Sequence, residues 1–145
     1  MSEKQNYVAG FMFDHARSEV ALIRKNKPAW QAGKLNGIGG KIEANETAYQ
    51  AMVREFGEET GVTNTEQSFR HFAILQGPQF SVDFFYTVGD LSLLQSPEDE
   101  KVERVKLADI GILRSDMIEN LPWLIGMAID QWDDARPAFA TIRYP

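Results

Sequence analysis

The chain has 145 residues, 43% of them hydrophobic, with 15 basic and 21 acidic side chains and a net charge of −6. That is one domain's worth of chain with enough apolar material for a sizeable core, and its acidity argues against a long nucleic-acid partner, which clustered Lys and Arg would hold. It has no cysteine, its N-terminal MSEKQNYVAG lacks the apolar run of a signal peptide, and no stretch nears the ~18 apolar residues of a membrane span, so a cytoplasmic protein without disulfides or membrane contact is expected.

Taken in chain order, Tyr7–Phe13 and Val20–Arg24 read as strands joined by the turn-rich DHARSE segment. Residues 25–36, KNKPAWQAGKLN, read as a polar loop carrying an exposed Trp30. A helix is predicted over about 46–59. Asn45 is its N-cap, Glu46 and Thr47 suit the first turn, and Ala48, Met52 and Phe56 make an apolar stripe with Ala51 alongside. Gly61 stands where the last turn closes. Phe69–Leu75 and Phe80–Val88 are aromatic and β-branched, and Gln76-Gly77-Pro78-Gln79 connects them as in a hairpin. An acidic stretch, residues 96–100, leads to a strand around Val102–Leu107. A last helix spans about 116–132, starting nearer 120 because proline at Pro122 is tolerated only near a helix start. No repeat or linker interrupts the chain, so 1–145 is one α/β domain, a mixed sheet with helices on both faces.

The run Gly40–Val62 concentrates the chemistry. Gly40, Glu46, Arg54, Glu55, Glu58, Glu59 and Gly61 fall in the order G-x5-E-x7-R-E-U-x-E-E-x-G-U, with Phe56 and Val62 at the bulky apolar positions U. Average residue usage would produce this roughly once in 10⁹ trials. On a helix, Glu55, Glu58 and Glu59 crowd one side of the final turn and a half, near the negative end of the dipole. Arg54 offsets part of that charge, and hard divalent cations, held by carboxylate and carbonyl oxygens with substrate phosphates, would offset the rest.

This run matches the Nudix box, and the chain resembles the Nudix hydrolase superfamily. The resemblance implies a Nudix fold, an α/β/α sandwich with a mixed central sheet. It also implies Mg²⁺-dependent hydrolysis, with Mn²⁺ as a substitute. By the same resemblance Glu58 and Glu59 are metal ligands with the Gly39 carbonyl, which glycine's bare backbone lets approach. Glu58 thereby counts among the catalytic residues with Glu55 and Arg54. Glu55 holds metal or acts as general base, Arg54 orients it, and Lys41 touches phosphate, while Glu46 and Gly61 are structural. Relatives recruit a further acid from a distant loop. Glu100 is the candidate here, with Glu98, Asp99 and Glu103 competing. His15 and His71 lie in no catalytic spacing.

A second resemblance bears on the substrate. Trp30 through Lys41, WQAGKLNGIGGK, is similar to the matching stretch of MutT-type oxidised-purine nucleoside triphosphatases. It implies that Trp30 stacks on a purine and Asn36 reads its edge, as a wide π-face and a side-chain amide suit. Phe84 or Phe85 adds an apolar wall. Where those enzymes carry an acidic pair, this chain has Glu119 and Asn120, and Ile118 replaces their Trp. Those departures leave a purine nucleotide as the expected substrate and the oxidised base open. The expected activity is pyrophosphohydrolysis of a nucleoside triphosphate, with ADP-ribose or a dinucleoside polyphosphate as the alternative substrate. A non-catalytic nucleotide-binding sensor is a second alternative, although such proteins typically lose box glutamates. The partner is a small nucleotide, and monomer and homodimer are both compatible.

Overall fold

The computed structural model describes residues 4–132 and 138–145. Eight strands form one mixed sheet: β1 (Gln5–Phe13), β2 (Glu19–Arg24), β3 (Leu35–Asn36), β4 (Ile38–Lys41), β5 (Arg70–Gln76), β6 (Phe80–Val88), β7 (Lys101–Lys106) and β8 (Ala140–Arg143). Among the described residues there are two α-helices, α1 (Ala48–Thr60) and α2 (Leu121–Asp130), and several short 3-10 turns. β1 is the organising strand. One edge pairs in parallel with β6 along its whole length, and the other takes β4 antiparallel at Tyr7–Gly10 and then β2 at Met12 and Phe13.

Alternation along the strands builds two cores. Ala9, Phe11 and Phe13 of β1, Val20 and Leu22 of β2, and Phe84 and Tyr86 of β6 face Leu121, Leu124, Ile125 and Ala128 of α2. Val8, Met12, Ala21, Ile23 and Phe85 face Ala51, Met52 and Phe56 of α1. The sheet is therefore buried on both faces, the α/β/α sandwich the pattern implies. Each fully buried large side chain contributes about 1.5–3 kcal/mol, and five phenylalanines (Phe11, Phe13, Phe56, Phe72 and Phe85) are among those below 2% exposed.

The box helix begins later than the sequence suggests. Thr47, not Asn45, is the N-cap: its side chain accepts from the Gln50 N–H while the Gln50 side chain accepts from the Thr47 N–H. Asn45 instead adopts a left-handed conformation, φ 65°, in the preceding turn, a backbone state asparagine tolerates better than most residues. Glu46 thus precedes the helix. Gly61 ends it at φ 77°, where a side chain would be strained. The last helix is shorter than 116–132, with Pro122 in its first turn and Met117 and Ile118 packed in the segment before it. β3, β4 and β8 lie where no strand was predicted. Among the described residues no helix is long and apolar enough to cross a membrane.

Candidate functional site

After Ala21, β2 turns away from β1 towards β3, and β4 takes its place on the β1 edge. Lys25, one residue past β2, and Gly39 of β4 stand at this fork, and both line a cleft of about 1150 Å³. α1 lies against β4 and β1 and brings its carboxylates to the same place.

Arg54 is the cross-brace. Its Nε and Nη2 donate to the two oxygens of Glu46 at 2.7 and 2.9 Å, Nη2 also to the Lys41 carbonyl at 3.0 Å, and Nη1 to Glu55 Oε1 at 2.9 Å and Glu58 Oε2 at 3.4 Å. The bond to Arg54 holds the Glu46 carboxyl below the usual carboxylate range, and the same bond raises the Arg54 guanidinium. Glu55 moves the other way, raised chiefly by burial although Arg54 opposes it. Gly40 makes room for this arrangement, because a Cβ there would lie 2.5 Å from Glu55 Oε1.

Of the three carboxylates on α1, Glu55 and Glu59 are partly buried and Glu58 is exposed. Glu59 accepts the Gly39 N–H at 3.1 Å. Burial, then the neighbouring charge of Glu55, pushes its carboxyl up to about 8 against the pull of Lys25 and the Gly39 N–H, with Glu100 adding to the rise. Glu100 is near enough for its charge to act on Glu59, but its bonds go to the segment after β2. Its Oε1 accepts from Lys25 Nζ at 2.9 Å and its Oε2 from the Asn26 N–H. Burial raises the Glu100 carboxyl, but those two donors outweigh it and the net shift is downward. Of its competitors, Glu103 is bound bidentately by Arg24 at 2.7 and 2.8 Å, while Glu98 and Asp99 are exposed.

A buried carboxyl among like charges is the arrangement a hard divalent cation would relieve, so the donor set of Glu55, Glu58, Glu59, Glu100 and the Gly39 carbonyl fits such an ion. Among the described residues no three acidic or histidine side chains converge on one point. Glu55 is drawn to Arg54 and Glu100 to Lys25.

The cleft lies on the α2 face of the sheet, and none of these carboxylates is among its lining residues. Gly39, Gly40 and Lys41 form the wall it shares with the carboxylates, and Phe84, Leu75 and Ile118 supply apolar surface. Trp30 stands at the rim, 69% exposed, on a single 3-10 turn. Glu119, Asn120 and Tyr144 also line the cleft. Asn36 lines the cleft but is partly committed, its carbonyl accepting the Gly37 N–H at 2.8 Å and its amide donating to Gln31 Oε1 at 2.9 Å. Phe85 belongs to the other face, stacked on His71 at 4.7 Å, so only Phe84 can wall the cleft. His71 lies 2.9 Å from Asp83 on that same far side, and His15 is an exposed turn residue. Sequence reasoning did not single out Lys25, Gln31, Phe80 or Tyr144. Only Tyr144 and Phe80, as aromatics, carried a visible signal.

A sandwich of this topology with an acidic helix packed on a glycine strand defines a family, and residues 3–124 match the model of the NUDIX domain. The chain belongs to the Nudix family. It is 30% identical over 113 residues to an oxidised purine nucleoside triphosphate hydrolase of Danio rerio, covering 78% of this chain and 57% of that protein. It is 36% identical over 73 residues to the 8-oxo-dGTP diphosphatase of Escherichia coli K12, covering 50% and 53%. The chain thus spans little more than half the length of these curated relatives. A solved structure from a study of MutT from Aliivibrio salmonicida and Vibrio cholerae superposes with a TM-score of 0.74 at 29% identity, covering 90% of this chain and all of that one.

Proposed function

We propose that the protein is a divalent-metal-dependent pyrophosphohydrolase of purine nucleoside triphosphates, releasing a nucleoside monophosphate and pyrophosphate. The observation that carries this is the double use of one glycine strand. The Gly39 N–H holds the Glu59 carboxylate on one side, and Gly39 and Gly40 line the nucleotide-sized cleft on the other. A polyphosphate lying in that cleft would meet the carboxylates across bare backbone. Two curated relatives are named as an oxidised purine nucleoside triphosphate hydrolase and an 8-oxo-dGTP diphosphatase, which supports the substrate class.

When bound, Mg²⁺ held by Glu58, Glu59, Glu55 or Glu100 and the Gly39 carbonyl would neutralise phosphate charge. The chain's own groups do the rest. Arg54 holds Glu55 by Oε1 and, among the described residues, leaves Oε2 without a hydrogen-bond partner. Burial makes Glu55 more basic than an ordinary carboxylate. Glu55 is thereby suited to take a proton from water as that oxygen bonds to phosphorus and the anhydride P–O bond breaks, the electron pair leaving on the departing phosphate. Lys41 lines the cleft beside Gly40, which supports its role in phosphate contact. In the same cleft Trp30 and Phe84 offer surfaces for the base, and Glu119 and Asn120 offer an acceptor and a mixed donor–acceptor to read its edge. Asn36, tied to Gln31 and Gly37, keeps one amide N–H and one lone pair for the same purpose.

The test is product release from a panel with Mg²⁺: purine, oxidised purine and pyrimidine triphosphates, ADP-ribose and a dinucleoside tetraphosphate. Purine triphosphates should be turned over best. Trp30→Ala should raise their KM about tenfold, the cost of one lost base–aromatic stack, and leave pyrimidines less affected. Preference for ADP-ribose, or equal effects of the substitution on all bases, would overturn the substrate reading.

A further inference from the structure

We propose that Lys25 is a resident cation for the distal half of the carboxylate cluster, holding Glu100 until a divalent ion takes its place. This rests on the metal reading above. Lys25 and Glu100 lie 75 residues apart in sequence and meet at 2.9 Å with side chains only 17% and 13% exposed. The other Glu100 oxygen accepts the Asn26 N–H, so the carboxylate is gripped from two sides by the segment that follows β2. The ammonium acts on Glu59 as well, and Glu100 presses on Glu59 with like charge. Lys25 also lines the same cleft as Gly39, whose N–H holds Glu59.

A purely structural ion pair would tie the acidic loop before β7 to the end of β2, and it would have no reason to lie against a second acid. Two features distinguish this one. Arg54 already takes Glu46, Glu55 and Glu58 on the proximal side, which leaves Lys25 as the cation drawn to Glu59 and Glu100. The pairing also keeps the carboxylates apart, since Glu100 is turned to Lys25 while Glu55 is turned to Arg54. The two cations differ in kind. Arg54 grips through a planar fork with several bonds, whereas a lysine ammonium is a compact charge on a flexible stem and gives up a partner more easily. A divalent ion entering between Glu59 and Glu100 would outcompete that single charge, and the ammonium would withdraw along the cleft it already lines.

The experiment is Mn²⁺ binding to the intact protein by isothermal titration calorimetry, with metal-free thermal melts as a second readout. Lys25→Met should tighten Mn²⁺ binding about five- to tenfold, the equivalent of one partly buried ion pair, and should lower the melting temperature in chelator. Lys25→Gln repeats the test should the first variant not fold. In a Glu100→Gln background the same lysine substitution should change Mn²⁺ affinity less, because the two residues act as a unit. Unchanged or weaker Mn²⁺ binding by a folded Lys25 variant would overturn the inference and leave the metal site standing. Failure of the wild-type protein to bind Mn²⁺ would overturn both.

Discussion

Arg54 donates to both oxygens of Glu46, eight residues earlier, and so binds the turn before α1 more completely than any carboxylate on α1 itself. With further bonds to the Lys41 carbonyl and Glu55, one guanidinium joins the end of β4, the turn and the helix. Glu46 is structural in a specific sense: it sets the angle from which Arg54 reaches Glu55. A lysine at 54 could keep one of these bonds but not the fork. Arg54→Lys should therefore lower kcat about 10²-fold, the scale expected when a reacting group is displaced by ~1 Å, with KM changed about twofold or less. Steady-state kinetics on a purine triphosphate checks this, and a rise in KM with kcat intact would point to substrate contact instead.

Gly40 is needed for clearance. An alanine Cβ would sit 2.5 to 2.7 Å from the Glu55 carboxylate atoms, so the carboxylate must move. Because a side-chain end can shift more cheaply than backbone, Gly40→Ala should leave the melting temperature within a few degrees of wild type, about 1 kcal/mol or less in stability. Turnover should fall at least tenfold. Comparing melts with kcat separates these effects, and full activity in a stable variant would mean that Glu55 does not work from this position.

The Arg24–Glu103 pair should appear in the pH dependence of stability. Arg24 holds the Glu103 carboxyl below its ordinary range, so the folded state prefers it ionised. The contribution is present above the unfolded value of about 4.3 and is lost as pH falls through the lowered folded value. With the two side chains 30% and 35% exposed, the pair is worth about 0.5–1 kcal/mol. Glu103→Gln should cost that much in urea unfolding at pH 7, and the difference should shrink towards zero near pH 3. A difference independent of pH would locate the loss in packing.

Much of this architecture was legible because local pattern and tertiary demand agree. Phe80–Val88 is a strand in sequence and in space, and the stripe of Ala48, Met52 and Phe56 faces one core as its spacing requires. The failures fall where tertiary partners decide. Ile38-Gly39-Gly40-Lys41 has neither alternation nor β-branched content beyond its first residue, and is a strand because β1 offers it an edge. Ala140–Arg143 is likewise a strand through its pairing with β5. Asn45 was a sound N-cap by residue type, but the reciprocal bonds of Thr47 and Gln50 prevailed two residues later.

The site divides in the same way. Glu55, Glu58 and Glu59 were readable because one helix carries them, and Arg54 because it adjoins them. Glu100 could be named only by resemblance, since the fold alone brings β7's leading loop to β2. Lys25 left no trace in the sequence, its meaning coming entirely from a partner 75 residues away.

In the proposed function, the carboxylates behind Gly39 and Gly40 hold the metal that drives anhydride hydrolysis at the cleft. Pyrophosphate release from a purine triphosphate, followed for wild type, Glu58→Gln and Glu59→Gln in Mg²⁺ and in chelator, tests it directly. The expected result is Mg²⁺-dependent turnover by the wild type and a loss of about 10³-fold or more in each variant, with circular dichroism unchanged. Turnover that persists in chelator, or survives either substitution, would contradict it.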